Sequence, residues 1–577
     1  MTTRNPLSTS TVLLSLLAGC SPIRLPPEPD LGLTQGPNSE VQECTQLRAS
    51  TEGLLREQCA GCHDNGSTKG GLGAISDLDG LIEHGYVVRG DSSQSDLFLK
   101  VQSGEMPQDG APLTDDQLTM IQRWVDVCTP VDEDNPDLSL NEPPSCLDNE
   151  MMDPAEVLAA IRDDLVKLSP ERARTTRYLS FAHLHGAGFC EPQLEGYRHA
   201  LAKLINHLSL APTIHVPEAI DPARTIFRID LTDYDWTAQT WATITASDPY
   251  AVELLSDAAR TIQDLADVAL FSVKGDWFIE AASQPPLYYD ILQIPGNRAG
   301  LELNLGVSVA TNIADEQEHD DDDVLRAGFK DSKVSNFNRV IERHQLPSAP
   351  QRGYWLSYDF NTEKGLSNIF DHPLDFKQAG GEIIFTLPNG LQAYMLVNDA
   401  GDRIPRGPLA IVQDHETPEE TEVINGLSCM SCHSEGMRLA TDYVADYVAG
   451  NPQFDQLAQE QVARLYAPKD VFTRAQQQDV ETFASAMAQT GAPLRVGSHE
   501  PVMAAHLAFS GPVDLRRAAA EFGVDEDELL INVASLQELG SINRLPVDRD
   551  VFQNAFAANA CVLHLGLTSA CPDGSAP

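Results

Sequence analysis

Basic residues are scarce in this chain. Over 577 residues, 39 lysines and arginines stand against 85 aspartates and glutamates, a formal net charge of -46. A nucleic-acid backbone would be repelled by such a field, which excludes nonspecific binding to it. An acidic coat of this kind serves solubility or a salty habitat, and it also steers basic partners toward the surface. Apolar runs long enough to span a bilayer are lacking as well. So are a Gly-x-Ser-x-Gly elbow, a His-Glu-x-x-His zinc motif and a phosphate loop, each a marker of an enzyme class. The acidic run Asp315, Glu316, Glu318 and Asp320-Asp321-Asp322-Asp323 has neither the sixth-position glycine nor the terminal glutamate of an EF-hand, and reads as a solvated loop. A hydrophobic content of 42% and a mean hydropathy of -0.23 describe a soluble globular protein with ample core. The length suits two to four folded units.

What is present begins at the N-terminus. Arg4 precedes a short apolar stretch, Val12-Leu13-Leu14-Ser15-Leu16-Leu17, which ends in Leu17-Ala18-Gly19-Cys20. A basic start and a short apolar run form a signal peptide. The ending resembles the bacterial lipoprotein processing site. That resemblance implies cleavage before Cys20 and acylation of its thiol, and several acyl chains together anchor a protein stably. Ser21 resembles the outer-membrane sorting type of a Gram-negative source, so the expected location is the cell envelope, facing the periplasm. Residues 21–43, with Pro22, Pro26, Pro27, Pro29, Gly32, Gly36 and Pro37, read as a tether.

One pattern occurs twice: Cys59-Ala60-Gly61-Cys62-His63 and Cys429-Met430-Ser431-Cys432-His433. Two thiols separated by two residues can each add across a vinyl group of a haem, and the histidine then presents a ring nitrogen to the iron. Cys-x-x-Cys-His is the c-type haem attachment signal. Neither copy has a second Cys-x-x-Cys nearby to complete a zinc site. The pattern therefore implies two covalently attached c-type haems, with His63 and His433 as iron ligands. The chain has eleven cysteines. With Cys20 assigned to lipid and four to haem, Cys44, Cys128, Cys146, Cys190, Cys561 and Cys571 remain for disulfides in an oxidising compartment, with about fifteen connectivities. Cys44 and Cys128 bracket the first motif, and Cys561 and Cys571 are neighbours, so these two pairs are expected.

Around the first motif, Leu54 and Leu55 lead helically into Cys59, and Gly70, Gly71 and Gly73 let backbone run close to a flat ligand. Pro107 disfavours helix at Met106 and leaves the thioether on an extended loop. Thr114 and Gln117 form a capping-box pattern for a helix with Leu118, Ile121, Trp124, Val125 and Cys128 on one face. This order of elements is similar to a class I cytochrome c module, spanning 44–128. The resemblance implies His63 as proximal and Met106 as distal ligand. His/Met ligation saturates the iron and raises its potential. His84 is a spare histidine. Residues 129–150 (Pro130, Asp132, Glu133, Asp134, Pro136, Asp137, Pro143, Pro144) read as an acidic linker.

Residues 151–577 are expected to form one large, mainly α domain with an inserted antiparallel sheet. Asp153-Pro154-Ala155-Glu156 opens a helix striped by Leu158, Ile161, Leu165 and Leu168. A second helix carries Tyr197, Leu201, Leu204, Ile205 and Leu208, and residues 251–271 also read as helical. Phe227–Leu231 alternates like a strand. His183 and His185 are spaced for a strand or loop and read as core or surface histidines. From 353 the chain turns to β: Tyr354–Tyr358, then 382–387 and 391–397 flanking Pro388-Asn389-Gly390, a hairpin signal. Helical patterns return at 455–466, 473–487 and 514–522. The phrases Arg177-Tyr178-Leu179-Ser180, Asn338-Arg339-Val340-Ile341-Glu342-Arg343-His344, Gly380-Gly381-Glu382-Ile383-Ile384-Phe385 and Asn425-Gly426-Leu427-Ser428 give this region a resemblance to the large haem-bearing half of a family of secreted bacterial cytochromes.

The ligand opposite His433 is open. Met437 lies four residues on, and four extended residues span about 14 Å at most, with no slack to round a porphyrin edge. His344, His415, His499, Met503 and His506 are within reach. His344 is the expected ligand, since it closes the charged phrase ahead of the sheet. The whole reads as an exported dihaem cytochrome relaying electrons between redox partners, among them a small basic cytochrome. Two alternatives stand beside it. An open second iron would make a peroxidase-like dihaem enzyme, and a structural lipoprotein would use haem only to sense redox state.

Overall fold

A computed structural model of the chain describes residues 37–63, 75–76, 78–83, 86–87, 90, 92, 95–104, 106–107, 112–129, 140, 143–319, 324–330, 337–408, 422–497 and 499–571. Cys20, Gly70, Gly71, Gly73, His84, His415 and the run Asp320–Asp323 lie outside them. The chain divides into two compact units, Met1–Pro130 and Val131–Pro577.

Among the described residues, the regular elements of the first unit are all helices. A helix over Pro37–Gln58 turns at Cys59 into the short helix Ala60–His63, and helix Asp115–Cys128 packs back on the first. The capping box at its start is formed as expected, with the Thr114 side chain accepting from the Gln117 N–H and the Gln117 side chain from the Thr114 N–H. Ile121, Trp124 and Val125 are buried against Leu54 and Leu55, and the Cys44–Cys128 disulfide ties the first and last helices covalently. Two boundaries differ from expectation. Residues 37–43 belong to the first helix and not to a tether. In the second unit, Leu140 is buried in the main core and Cys146 is bonded to Cys190. The later half of the proposed linker is therefore part of the large unit.

The large unit is a helical body with two sheets, and the expected class, mainly α with an inserted antiparallel sheet, is what the chain adopts. The smaller sheet comprises β1 (Thr176–Ser180), β2 (Glu218–Ala219), β3 (Ile226–Asp230) and β4 (Ser272–Lys274) in the order β2-β3-β1-β4, with β1 and β4 parallel. The larger is an antiparallel meander, each strand beside the next: β5 (Val324–Phe329), β6 (Arg339–Leu346), β7 (Ala349–Asp359), β8 (Gly380–Thr386), β9 (Gln392–Asn398) and β10 (Arg403–Ile404). It starts well before residue 353, because β5 and β6 precede the alternating stretch that marks β7. The β8–β9 hairpin turns at Asn389-Gly390 as expected, with Gly390 at φ +93°. The helix expected over 251–271 is confined to Asp257–Ala266, where Asp267 enters the left-handed region and ends it. His183 sits on a one-turn helix, Ala182–Gly186, with Nε2 2.8 Å from the buried Asp276 carboxylate. Among the described residues no helix is long and apolar enough to cross a membrane.

Both faces of the large sheet are buried, and strand alternation gives them different chemistry. On one face Glu342 (β6) accepts from Arg326 Nε (β5) at 2.7 Å, His344 Nε2 (β6) at 2.8 Å and Tyr358 OH (β7) at 2.9 Å. On the other, Arg343 pairs with Asp479 at 2.9 Å and Trp355 Nε1 donates to the same carboxylate at 2.8 Å, which fixes helix Lys469–Thr490 across the sheet. A buried charge is tolerable only when its partners are complete. Burial alone would raise the Glu342 pKa, but Arg326 and His344 outweigh it and hold the carboxyl at about 2. Because the folded value is depressed, the network's stabilisation is complete above about pH 4.5 and is lost as pH falls toward 2. Glu342→Gln should therefore lower the stability of the large unit at neutral pH by about 3–5 kcal/mol. In denaturant titrations the gap to wild type should close progressively between about pH 4.5 and pH 2.

Candidate functional site

The second Cys-x-x-Cys-His motif is fastened to strand β9 of this sheet by the residues just before it. The Asn425 side chain accepts from Leu396 N at 2.9 Å and donates to Tyr394 O at 3.2 Å, occupying backbone groups of β9. Gly426 follows at φ +84°, and a Cβ there would lie 2.4 Å from the Ser283 carbonyl oxygen. Only glycine fits both the conformation and the contact. Helix Leu427–Cys432 then begins, and the His433 N–H closes the last turn on Cys429 O at 2.8 Å. Cys429 is buried, and burial, with the Glu382 carboxylate adding to it, pushes its thiol pKa well up.

The His433 ring is held from several sides. Its Nδ1 lies 3.0 Å from the Gly436 carbonyl oxygen. A carbonyl only accepts, so Nδ1 carries the proton and the neutral ring keeps a lone pair on Nε2. Burial lowers the His433 pKa despite the nearby Glu382 carboxylate, which favours that neutral form. The Tyr394 ring (β9) lies near-parallel at 6.0 Å, and the opposite Gly436 carries no side chain against Phe483. Across from Nε2, at 3.8 Å, is Oε1 of Glu382 on β8.

Glu382 belongs to a network on the same face of the sheet. Its Oε2 accepts from Arg339 Nη2 (β6) at 2.8 Å, and Arg339 Nε is paired with Asp359 (β7) at 2.7 Å. Ser357 Oγ accepts from the Glu382 N–H at 2.8 Å and donates to Asp359 Oδ2 at 2.9 Å. Gly381 permits this approach, since a Cβ on it would stand 2.3 Å from the Ser357 carbonyl oxygen. Burial would raise the Glu382 pKa, but Arg339, His433 and Arg438 outweigh it and keep the group a carboxylate.

His344 does not reach this site. It pairs with Tyr354, which pairs with Phe385, whereas Glu382 shares the opposite face of the sheet with Ile384 and with Tyr394, the partner of Ile384 on β9. The sheet itself stands between His344 and His433. Both its ring nitrogens are occupied, Nε2 donating to Glu342 and Nδ1 accepting from Asn312 at 3.2 Å. The expectation that His344 ligates opposite His433 is corrected on these grounds. Of the other candidates, Met503 is buried on helix Pro501–Ser510, His506 on the same helix has Nδ1 on Glu280, and His499 forms a bridge with Val496. In the first unit, Cys59 and Met106 both pack against the core built on Trp124, and the His63 N–H is bonded to Cys59 O at 3.1 Å. Cys62 lies in the helix Ala60–His63.

Among the described residues the disulfides are Cys44–Cys128, Cys146–Cys190 and Cys561–Cys571, so both expected pairs form, while Cys59, Cys429 and Cys432 stand outside them. Among the described residues no three His, Cys, Asp or Glu side chains converge on one point. A haem asks for no such cluster, because the porphyrin supplies four donors and the protein only the axial ones. Cys429, Cys432 and an imidazole with its acceptor nitrogen exposed to the sheet fit such a group. Comparison of the chain with protein families, with curated proteins and with solved structures finds no match.

Arg339, Ser357, Asp359 and Glu382 were not singled out by sequence reasoning, although Arg339 and Glu382 lie within two of the phrases that were. Their signal is alternation: Arg339 and Arg343 share a face that His344 cannot. Gly426→Ala should leave the first motif unaffected. It should lower the thermal midpoint of the large unit, through about 1–3 kcal/mol of backbone strain plus the Ser283 contact, as differential scanning calorimetry would show.

Proposed function

We propose that this chain is an exported, lipid-anchored dihaem c-type cytochrome that relays electrons between redox partners. The observation that carries this reading is the state of the second motif. His433 Nδ1 is held 3.0 Å from the Gly436 carbonyl oxygen, and its Nε2 faces the sheet. Beside it are Cys429 and Cys432, which stand outside the disulfides Cys44–Cys128, Cys146–Cys190 and Cys561–Cys571. A backbone carbonyl on the far ring nitrogen, orienting the imidazole in this way, is the usual companion of a metal-bound histidine.

A covalently held haem would supply one-electron redox chemistry at each motif. The chain's own residues do the rest. Cys59 and Cys62, and Cys429 and Cys432, would fix each ring covalently, and His63 and His433 would hold each iron from one side. Met106 would close the first iron as a soft thioether donor, which favours the reduced state and sets a high potential. At the second motif the buried Leu427, Met430 and Tyr394 would limit the access of water. The acidic surface would guide a basic partner, such as a small cytochrome, and Cys20 would carry the lipid that keeps the protein at the envelope, on the periplasmic side of an outer membrane.

The test is haem stoichiometry, taken as the alkaline pyridine spectrum per polypeptide. Wild type should carry two haems. Replacing Cys429 and Cys432 by serine, or Cys59 and Cys62, should each leave one, and a wild-type protein with none would overturn the reading. Met106→Ala should keep both haems and lower the higher of the two midpoint potentials in a redox titration.

A further inference from the structure

Resting on the dihaem reading, we propose that Glu382 is the axial ligand opposite His433, so that Oε1 of Glu382 and Nε2 of His433 hold the second iron from its two sides. The first argument is the facing of two donor atoms. With Nδ1 of His433 held on the Gly436 carbonyl, the ring turns Nε2 toward the sheet. Oε2 of Glu382 accepts a hydrogen bond from Arg339 Nη2, and Oε1 is the oxygen that faces His433. The two atoms stand 3.8 Å apart, too far for a direct hydrogen bond and placed so that a cation between them would be attracted by both.

The second argument is length. A transition-metal bond to imidazole nitrogen is about 2.0–2.1 Å and one to carboxylate oxygen about 2.0–2.2 Å, so two placed end to end span about 4 Å. The observed 3.8 Å is close to that sum. The third is orientation. Glu382 sits on the interior of a six-stranded sheet, and its backbone N–H and second oxygen are fixed by Ser357 and by the Arg339–Asp359 pair. Ligating carboxylates are held by such outer partners. None of these partners contacts Oε1, which leaves it for the iron.

The consequence is a difference between the two irons. A carboxylate is a hard, anionic donor that suits the ferric state, whereas thioether at the first iron raises its potential. Electrons would then run downhill from the second iron to the first. On reduction the carboxylate would hold less firmly, so carbon monoxide should take the second iron and leave the first.

The experiment uses the full-length purified protein, with ferric electron paramagnetic resonance, redox titration and haem content measured together. In wild type the ferric spectrum should contain one low-spin signal from the first iron and a distinct signal of His/carboxylate type. Glu382→His should convert the latter to a low-spin bis-imidazole signal, and Glu382→Gln should shift the lower midpoint potential upward, with two haems per chain retained in both. Two low-spin wild-type signals of His/Met or bis-His type would overturn the proposal whether or not the variants fold. So would variants that keep two haems with unchanged spectra and potentials. A wild type lacking haem at the second motif would instead remove the reading on which the proposal rests, and the haem count separates that failure from the others.

Discussion

The pleat of one strand governs the large unit. β8 lies inside the meander with both faces buried, so each successive side chain must find a partner on the opposite side from the last. Glu382, Ile384 and Thr386 go to one face, and Gly381, Ile383 and Phe385 to the other. Because neighbouring strands are in fixed register, this single parity sorts Arg339, Ser357, Asp359 and Tyr394 onto the His433 side, and Glu342, His344 and Tyr354 away from it. A shift of one residue in β8 would turn Glu382 to the opposite face and dismantle its network with Arg339 and Ser357, whereas the Glu342 network rests on β5, β6 and β7 alone.

The two carboxylates that those networks hold are handled differently. Glu342 is fully buried and receives donors on both oxygens. It is a closed structural element, costly to form and more costly to break. Glu382 receives the same kind of support on one oxygen only. The arrangement therefore keeps a negative charge in place without consuming all of its capacity to bind, which separates a charge kept for packing from one kept for chemistry.

Much of the fold could be read from local signals. The capping box at Thr114, the proline-led helix at Pro154, the Asn-Gly hairpin and the amphipathic stripe ending in Cys128 each declare themselves within a few residues, because the forces that fix them act over a few residues. The paired motifs and two of the three disulfides were legible from spacing. What could not be read depended on distant partners. The sheet's early strands, β5 and β6, carry charged residues whose neutralising partners lie far along the chain, so their apolar alternation is masked. His344 was drawn toward the second motif by proximity to a suggestive phrase. Its true side of the strand follows only from register, which is a property of the assembled sheet. Glu382 was invisible as a site residue for the same reason, being one acidic residue among 85 until Arg339 and His433 are brought beside it.

The Cys44–Cys128 bond gives the first unit a topology its helices alone would not. Everything between those two residues, including the first motif, lies in a closed covalent ring. One backbone break anywhere inside that ring yields two strands still joined through sulfur, and neither half can diffuse away. The first unit thereby tolerates a first proteolytic cut that would dismember an open chain.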